Sequence, residues 1–106
     1  MSFRHLYIER VSQMPLYENY IPVFKALADG TRLKIITILS GGEMCACKIL
    51  EEFNITQPTL SYHMKILTES GLVGGVRNGA WMRYSLSKEN IETFKTFITA
   101  ITTPEA

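Results

Sequence analysis

Long apolar runs are missing from this sequence. The densest, Ile35-Ile36-Thr37-Ile38-Leu39, is far too short to span a bilayer. Met1 to Met14 contains no apolar stretch of the kind a signal peptide carries. The chain is therefore expected to be cytoplasmic and to have no membrane partner, and cysteines in that compartment stay reduced. Cysteine and histidine are both scarce: Cys45 and Cys47, His5 and His63. That set is too small and too scattered for a structural zinc site, which normally needs four ligands. No Ser/His/Asp, Cys/His or paired-carboxylate arrangement falls on one expected element, and no glycine loop could cradle phosphate. An enzyme is not expected.

What is present is an ordinary globular composition, 46% hydrophobic and 20% charged, in 106 residues. One domain over residues 1–106 is expected. A chain this short buries a modest core, so self-association is a natural way to bury more. The net charge of +1 is unevenly spread. Residues 54–88 carry Lys65, Arg77, Arg83 and Lys88 against Glu69 alone, while the remainder carries seven basic and nine acidic residues. A basic segment on a neutral protein can be a footprint for phosphate.

Helical spacing runs through Phe3, Leu6, Tyr7, Val11 and Met14 up to Pro15. A second helix is expected from about Leu16 to Ala28, with Tyr20, Ile21, Phe24, Leu27 and Ala28 inward. Asp29 is placed to cap a third helix through Leu39, with Leu33, Ile36 and Leu39 inward and Gly41-Gly42 stopping it. A short helix follows over Met44 to Phe53. After the tight connection Asn54-Ile55, Thr56 caps a helix that has Gln57-Pro58 in its first turn and runs to Ser70. The period then becomes extended. Leu72 to Arg77 and Ala80 to Leu86 flank Asn78-Gly79, the dipeptide best suited to a type I′ hairpin. Ser87 caps a last helix through about Ile101, with Ile91, Phe94, Ile98 and Ile101 on its face.

The expected fold class is mainly α with a β-hairpin, a winged helix-turn-helix: two short helices joined by a tight turn, then a hairpin. In that order the second helix of the pair enters the major groove of double-stranded DNA. Leu60, Met64 and Leu67 lie at i, i+4 and i+7 and should face inward. At ~100° per residue, Tyr62 and Lys65 point the opposite way, with Thr59 and Ser61 on the flanks and Gln57 near the N-terminal end. Amides and hydroxyls there suit base edges, and lysine suits phosphate. His63 sits beside the inward face, where it would help seat the helix. Arg77 and Arg83 on the hairpin are candidate contacts to the DNA backbone or minor groove, and Trp81 a candidate core or hairpin anchor.

Cys45 and Cys47 allow several readings: small buried apolar residues, a redox pair, or a site for a soft, thiophilic ion. On a regular helix, residues i and i+2 point ~200° apart. For both sulfurs to hold one ion, the start of that helix is expected to unwind.

The tracts FKALADGTRLKIITIL, GEMCACKILEEFNITQPTLSYHMKILTESGLV and RNGAWMRYSLS resemble the ArsR/SmtB family of metal-responsive repressors, over about Val23 to Leu86. ITQPTLSYHMKIL is similar to that family's recognition helix, and EMCACKI to its arsenic-responsive branch. The resemblance implies a homodimer, with N- and C-terminal dimerisation helices, on an inverted-repeat operator. It implies no required cofactor and release by the effector As(III) or Sb(III) at Cys45 and Cys47. The chain departs from some members in three ways. Leu50 stands where a third cysteine can occur, the final helix has no histidine, and the N-terminus has no cysteine. Two other functions stay open at this point: a repressor of the same fold that answers thiol oxidation or another soft metal, and a winged-helix module for protein contact.

Overall fold

The computed structural model describes residues 17–104, so the expected helix over Phe3–Met14 lies outside the described residues. A single 3-10 turn, Tyr17–Tyr20, leads into α1 (Ile21–Leu27). The one long helix expected here is broken because Pro22 has no N–H to give and its ring clashes with the carbonyl four residues back. In the first turn of α1 that missing donor costs nothing.

α1 buries Val23 and Ala26, whereas Ile21 and Phe24 remain 43% and 40% exposed, contrary to the expected face. Phe24 and Tyr20 turn instead toward the C-terminal helix α5 (Lys88–Thr102). The Phe24 and Phe94 rings meet edge-on at 5.2 Å, and Tyr20 stacks on Phe97 at 4.0 Å. Phe97, absent from the expected face of α5, is its buried residue.

α2 (Gly30–Leu39) starts at the expected cap, with Asp29 accepting from the Arg32 N–H at 3.0 Å. Its inner face is Ile35 and Leu39, while Leu33 is 49% exposed rather than inward. Met44 and Cys45 are not helical. They form the short strand β1 (Met44–Cys45), and α3 is the six-residue helix Ala46–Glu51. α4 (Gln57–Glu69) buries Leu60, Met64 and Leu67 as expected.

β2 (Val73–Asn78) and β3 (Trp81–Leu86) form the hairpin, and β1 joins it on the far side of β3. Pairing runs from Val73 opposite Leu86 to Asn78 opposite Trp81, with Met44 opposite Tyr84 and Cys45 opposite Arg83. The loop is thus Gly79-Ala80, one residue later than expected. Only Gly79 takes a left-handed φ, +66°, as in a type II′ rather than a type I′ turn. One core joins α1, α2, α3, α4 and the base of the hairpin around Ile35, Leu39, Ile49 and Leu67.

Leu67 is fully buried and Leu33 half outside, and the two leucines test this arrangement against the periodicity. Leu67→Ala is expected to cost about 2–5 kcal/mol in urea unfolding. Leu33→Ala should stay within about 0.5 kcal/mol of the parent. The reverse ranking would place the inner face of α2 on Leu33.

Candidate nucleic-acid interface and thiol pair

α3, the turn after it and α4 make the helix-turn-helix. Thr56 holds the start of α4 with two bonds. Its hydroxyl oxygen accepts from the Thr59 N–H at 3.3 Å, and its O–H donates to the Thr59 hydroxyl at 3.0 Å. With Leu60, Met64 and Leu67 anchored in the core, Gln57, Thr59, Ser61, Tyr62 and Lys65 are left on the solvent side. Tyr62 is 61% exposed. Lys65 extends from this face with no side-chain partner among the described residues.

The hairpin separates the two arginines that the sequence grouped together. Arg77 is registered opposite Met82, and Arg83 opposite Val76, so strand alternation sends them to opposite faces. Arg77 shares with Gln57 and Ser61 a cleft of about 160 Å³ between α4 and the hairpin, and it makes no ion pair among the described residues. Arg83 donates from Nε to Glu43 Oε1 at 2.6 Å and sits beside Cys45. Five outward residues of α4 and Arg77 therefore gather on one side, and Arg83 does not join them.

Tyr84 packs across the hairpin over Gly75. A Cβ on Gly75 would lie 2.9 Å from the Tyr84 ring. Burial pushes the Tyr84 hydroxyl above its ordinary pKa, and the nearby Arg77 charge works the other way. Of the two places expected for Trp81, it takes the hairpin and not the core: it pairs with Asn78 at the start of β3 and is exposed there.

Cys45 is the last residue of β1 and also the N-cap of α3, with extended backbone. Its Sγ accepts from the Cys47 N–H at 3.3 Å. The Cα atoms of Cys45 and Cys47 are 5.3 Å apart and the two sulfurs are joined as a disulfide, in place of the separate thiols expected. The expected unwinding of a helix is not needed, because Cys45 lies outside α3 and is free of the ~100° per-residue rule. Among the described residues no group of three or more His, Cys, Asp or Glu side chains is arranged to hold a metal ion.

His63 does seat α4, through a residue that sequence reasoning missed. Arg32 donates from Nε to the Ala26 carbonyl at 2.8 Å and from Nη2 to the Lys25 carbonyl at 3.3 Å. Its Nη1 lies 3.0 Å from His63 Nδ1. Asp29 Oδ2 is 3.9 Å from the same nitrogen. The Arg32 backbone N–H bonded to Asp29 holds that carboxyl below its ordinary pKa, with the Arg32 charge acting the same way against partial burial. The only sign of Arg32 in the sequence was a cation three residues after a helix cap.

The profile of the bacterial regulatory proteins of the arsR family matches residues 29–74. An arsenical resistance operon repressor of Staphylococcus xylosus is 43% identical over 76 residues, which cover 72% of this chain and 73% of that protein. The transcriptional repressor SdpR of Bacillus subtilis is 45% identical over 65 residues, 61% of this chain and 72% of its own length. A homodimeric winged helix-turn-helix DNA-binding domain from Mycobacterium bovis, described as a possible ArsR-family regulator, has a similar solution structure. It matches with a TM-score of 0.67 at 28% identity, over 82% of this chain and 81% of that one. The fold is thus a winged helix-turn-helix, and the chain belongs to the arsR family of bacterial regulatory proteins.

Proposed function

We propose that the protein is a homodimeric transcriptional repressor that binds an inverted-repeat operator and is released by trivalent arsenic or antimony held at Cys45 and Cys47. One observation carries the reading: the two sulfurs meet where β1 ends and α3 begins, at the base of the element that supports α4. In this reading Gln57, Thr59, Ser61 and Tyr62 address base edges, and Lys65 and Arg77 address phosphates.

Thiolates suit a soft ion. Once a cellular thiol has reduced the disulfide, supplying two electrons and two protons, each sulfur replaces one hydroxyl of arsenous acid, and that hydroxyl leaves with the thiol proton as water. The third hydroxyl stays or exchanges for a free thiol, since the chain has no third cysteine. Replacing the Cys45–Cys47 bond by two bonds to one ion changes the spacing between the sulfur that caps α3 and the first turn of that helix. The strain then passes to Ile49, which is fully buried in the core that also seats α4.

The disulfide favours a second reading, in which the same pair answers oxidation. Two thiols give up two protons and two electrons to an oxidant such as a peroxide, and the bond restrains the same helix start. The dimer is supported by the exposed Ile21 and Phe24 beside Phe94, an apolar strip on a small chain. The expected N-terminal dimerisation helix lies outside the described residues.

Three measurements check these proposals. Cys45→Ser and Cys47→Ser should each bind the operator as the parent does and should each fail to release it with arsenite. The parent should lose about 5–150-fold in affinity when arsenite binds. Release by peroxide and not by arsenite would select the second reading, and loss of binding in both variants without effector would make the cysteines structural. Lys65→Ala should weaken binding to all sequences and reduce the salt slope by about 1, whereas Tyr62→Ala should relax base preference. Sedimentation at micromolar concentration should give a dimer, with recognition helices ~34 Å apart on DNA; a monomer that still binds the operator overturns this.

A further inference from the structure

The Arg32–His63 contact, taken as a hydrogen bond, constrains which ring nitrogen carries the proton. A guanidinium has donors only. His63 Nδ1, 3.0 Å from Arg32 Nη1, must therefore be the acceptor. The ring in this arrangement is neutral, with its proton on Nε2.

Among the described residues, three charged or titratable groups face the ring. α2 supplies Arg32, the link before α2 supplies Asp29, and α4 itself supplies Tyr62, whose ring stands edge-on at 5.3 Å. α1 takes part through the Lys25 and Ala26 carbonyls that accept from Arg32. Arg32 thus ties the end of α1 to the middle of the recognition helix, next to the outward Tyr62.

A proton on Nδ1 turns this hydrogen bond into a donor facing a donor and a cation facing a cation. The carboxylate of Asp29, at 3.9 Å, is the acceptor within reach. It already accepts from the Arg32 N–H as the cap of α2. A charged His63 must leave Arg32 and compete for that cap, and the ring has to move with α4.

We propose that Arg32 is a positioning residue for DNA recognition that acts through the unprotonated Nδ1 of His63, so that protonation of His63 weakens operator binding. This rests on the reading of α4 as the DNA-contacting helix. The sign separates it from simple electrostatics. An added positive charge near DNA tightens binding as pH falls, whereas loss of the Arg32 contact loosens it.

The test uses the full chain and a DNA duplex selected at pH 8 from a random-sequence pool. Its affinity is measured by fluorescence anisotropy from about pH 8 to about pH 5.5 at fixed ionic strength. The parent is expected to bind at least about fivefold more weakly at the acid end. His63→Asn places an amide oxygen where Nδ1 accepts, so it should bind at pH 8 and respond little to acid. His5→Asn, the control for the other histidine, should respond as the parent does. Nitrogen-15 shifts of the parent's ring at pH 8 should show Nδ1 without a proton, a readout that needs no variant. The proposal is overturned by a protonated Nδ1 at pH 8, by affinity that is flat or rises on acidification, or by a response that survives in His63→Asn. A protein that selects no duplex at any pH, with Nδ1 unprotonated, fails the DNA reading and takes this proposal's binding step with it.

Discussion

Everything the exposed face of α4 can do depends on three side chains that cannot be seen from outside. Leu60, Met64 and Leu67 are buried along one stripe and fix the rotation of the helix about its own axis. Each buried side chain of this size contributes about 1.5–3 kcal/mol relative to exposure. Turning α4 by a single residue position would bring Ser61 or Lys65 into the core and place leucine in water. The outward set of polar side chains is therefore a consequence of packing, and the Thr56 cap fixes where along the axis that set begins.

The small third strand carries more than its length suggests. β1 has two residues, yet it pairs with β3 and delivers the chain into α3 with an extended residue at the junction. That residue is Cys45. Its extended backbone lets the sulfur turn back over the first turn of α3 to meet Cys47. The Glu43–Arg83 ion pair spans β1 and β3 alongside. Both partners are substantially exposed, so its worth lies in orientation more than in stability. The proposed thiol chemistry would act where a strand, a helix start and the core meet, at the mounting of α4.

Some of this was legible in the sequence and some was not, for separable reasons. Caps act over three residues, and Asp29, Thr56 and Ser87 each accept where local reasoning put them. α4 has one apolar stripe, so its inner face could be read directly. α1 offers two stripes, Val23/Ala26 and Tyr20/Phe24/Leu27, and only contact with α5 decides between them. β1 is too short to show a period, and its pairing partner lies about 40 residues away. The hairpin loop moved by one residue because Asn78 stays in the ladder opposite Trp81. The division of Arg77 from Arg83 was available in advance. Across any two-residue hairpin loop, an arginine on each strand at these two positions falls on opposite faces. The Arg32–His63 tie was not, since it joins residues 31 apart with no shared pattern.

Charge sets how finely the proposed DNA contact must be made. Among the described residues, the cations on the face that α4 and the hairpin share are Lys65 and Arg77, on a chain of net charge +1. Two protomers then neutralise about four phosphates, and each contributes about −0.9 to the salt slope. So few contacts give little non-specific attraction to hold the protein on DNA when the fit is imperfect. Discrimination falls to Gln57, Thr59, Ser61 and Tyr62, where one good base contact is worth about 1–3 kcal/mol and depends on ångström-scale placement. A protein bound this way is easily released, because a small tilt of α4 removes most of what held it. In the proposed mechanism, the tie from Arg32 to His63 and the sulfur cap on α3 would each drive such a tilt, one from the α1 side and the other from the sheet.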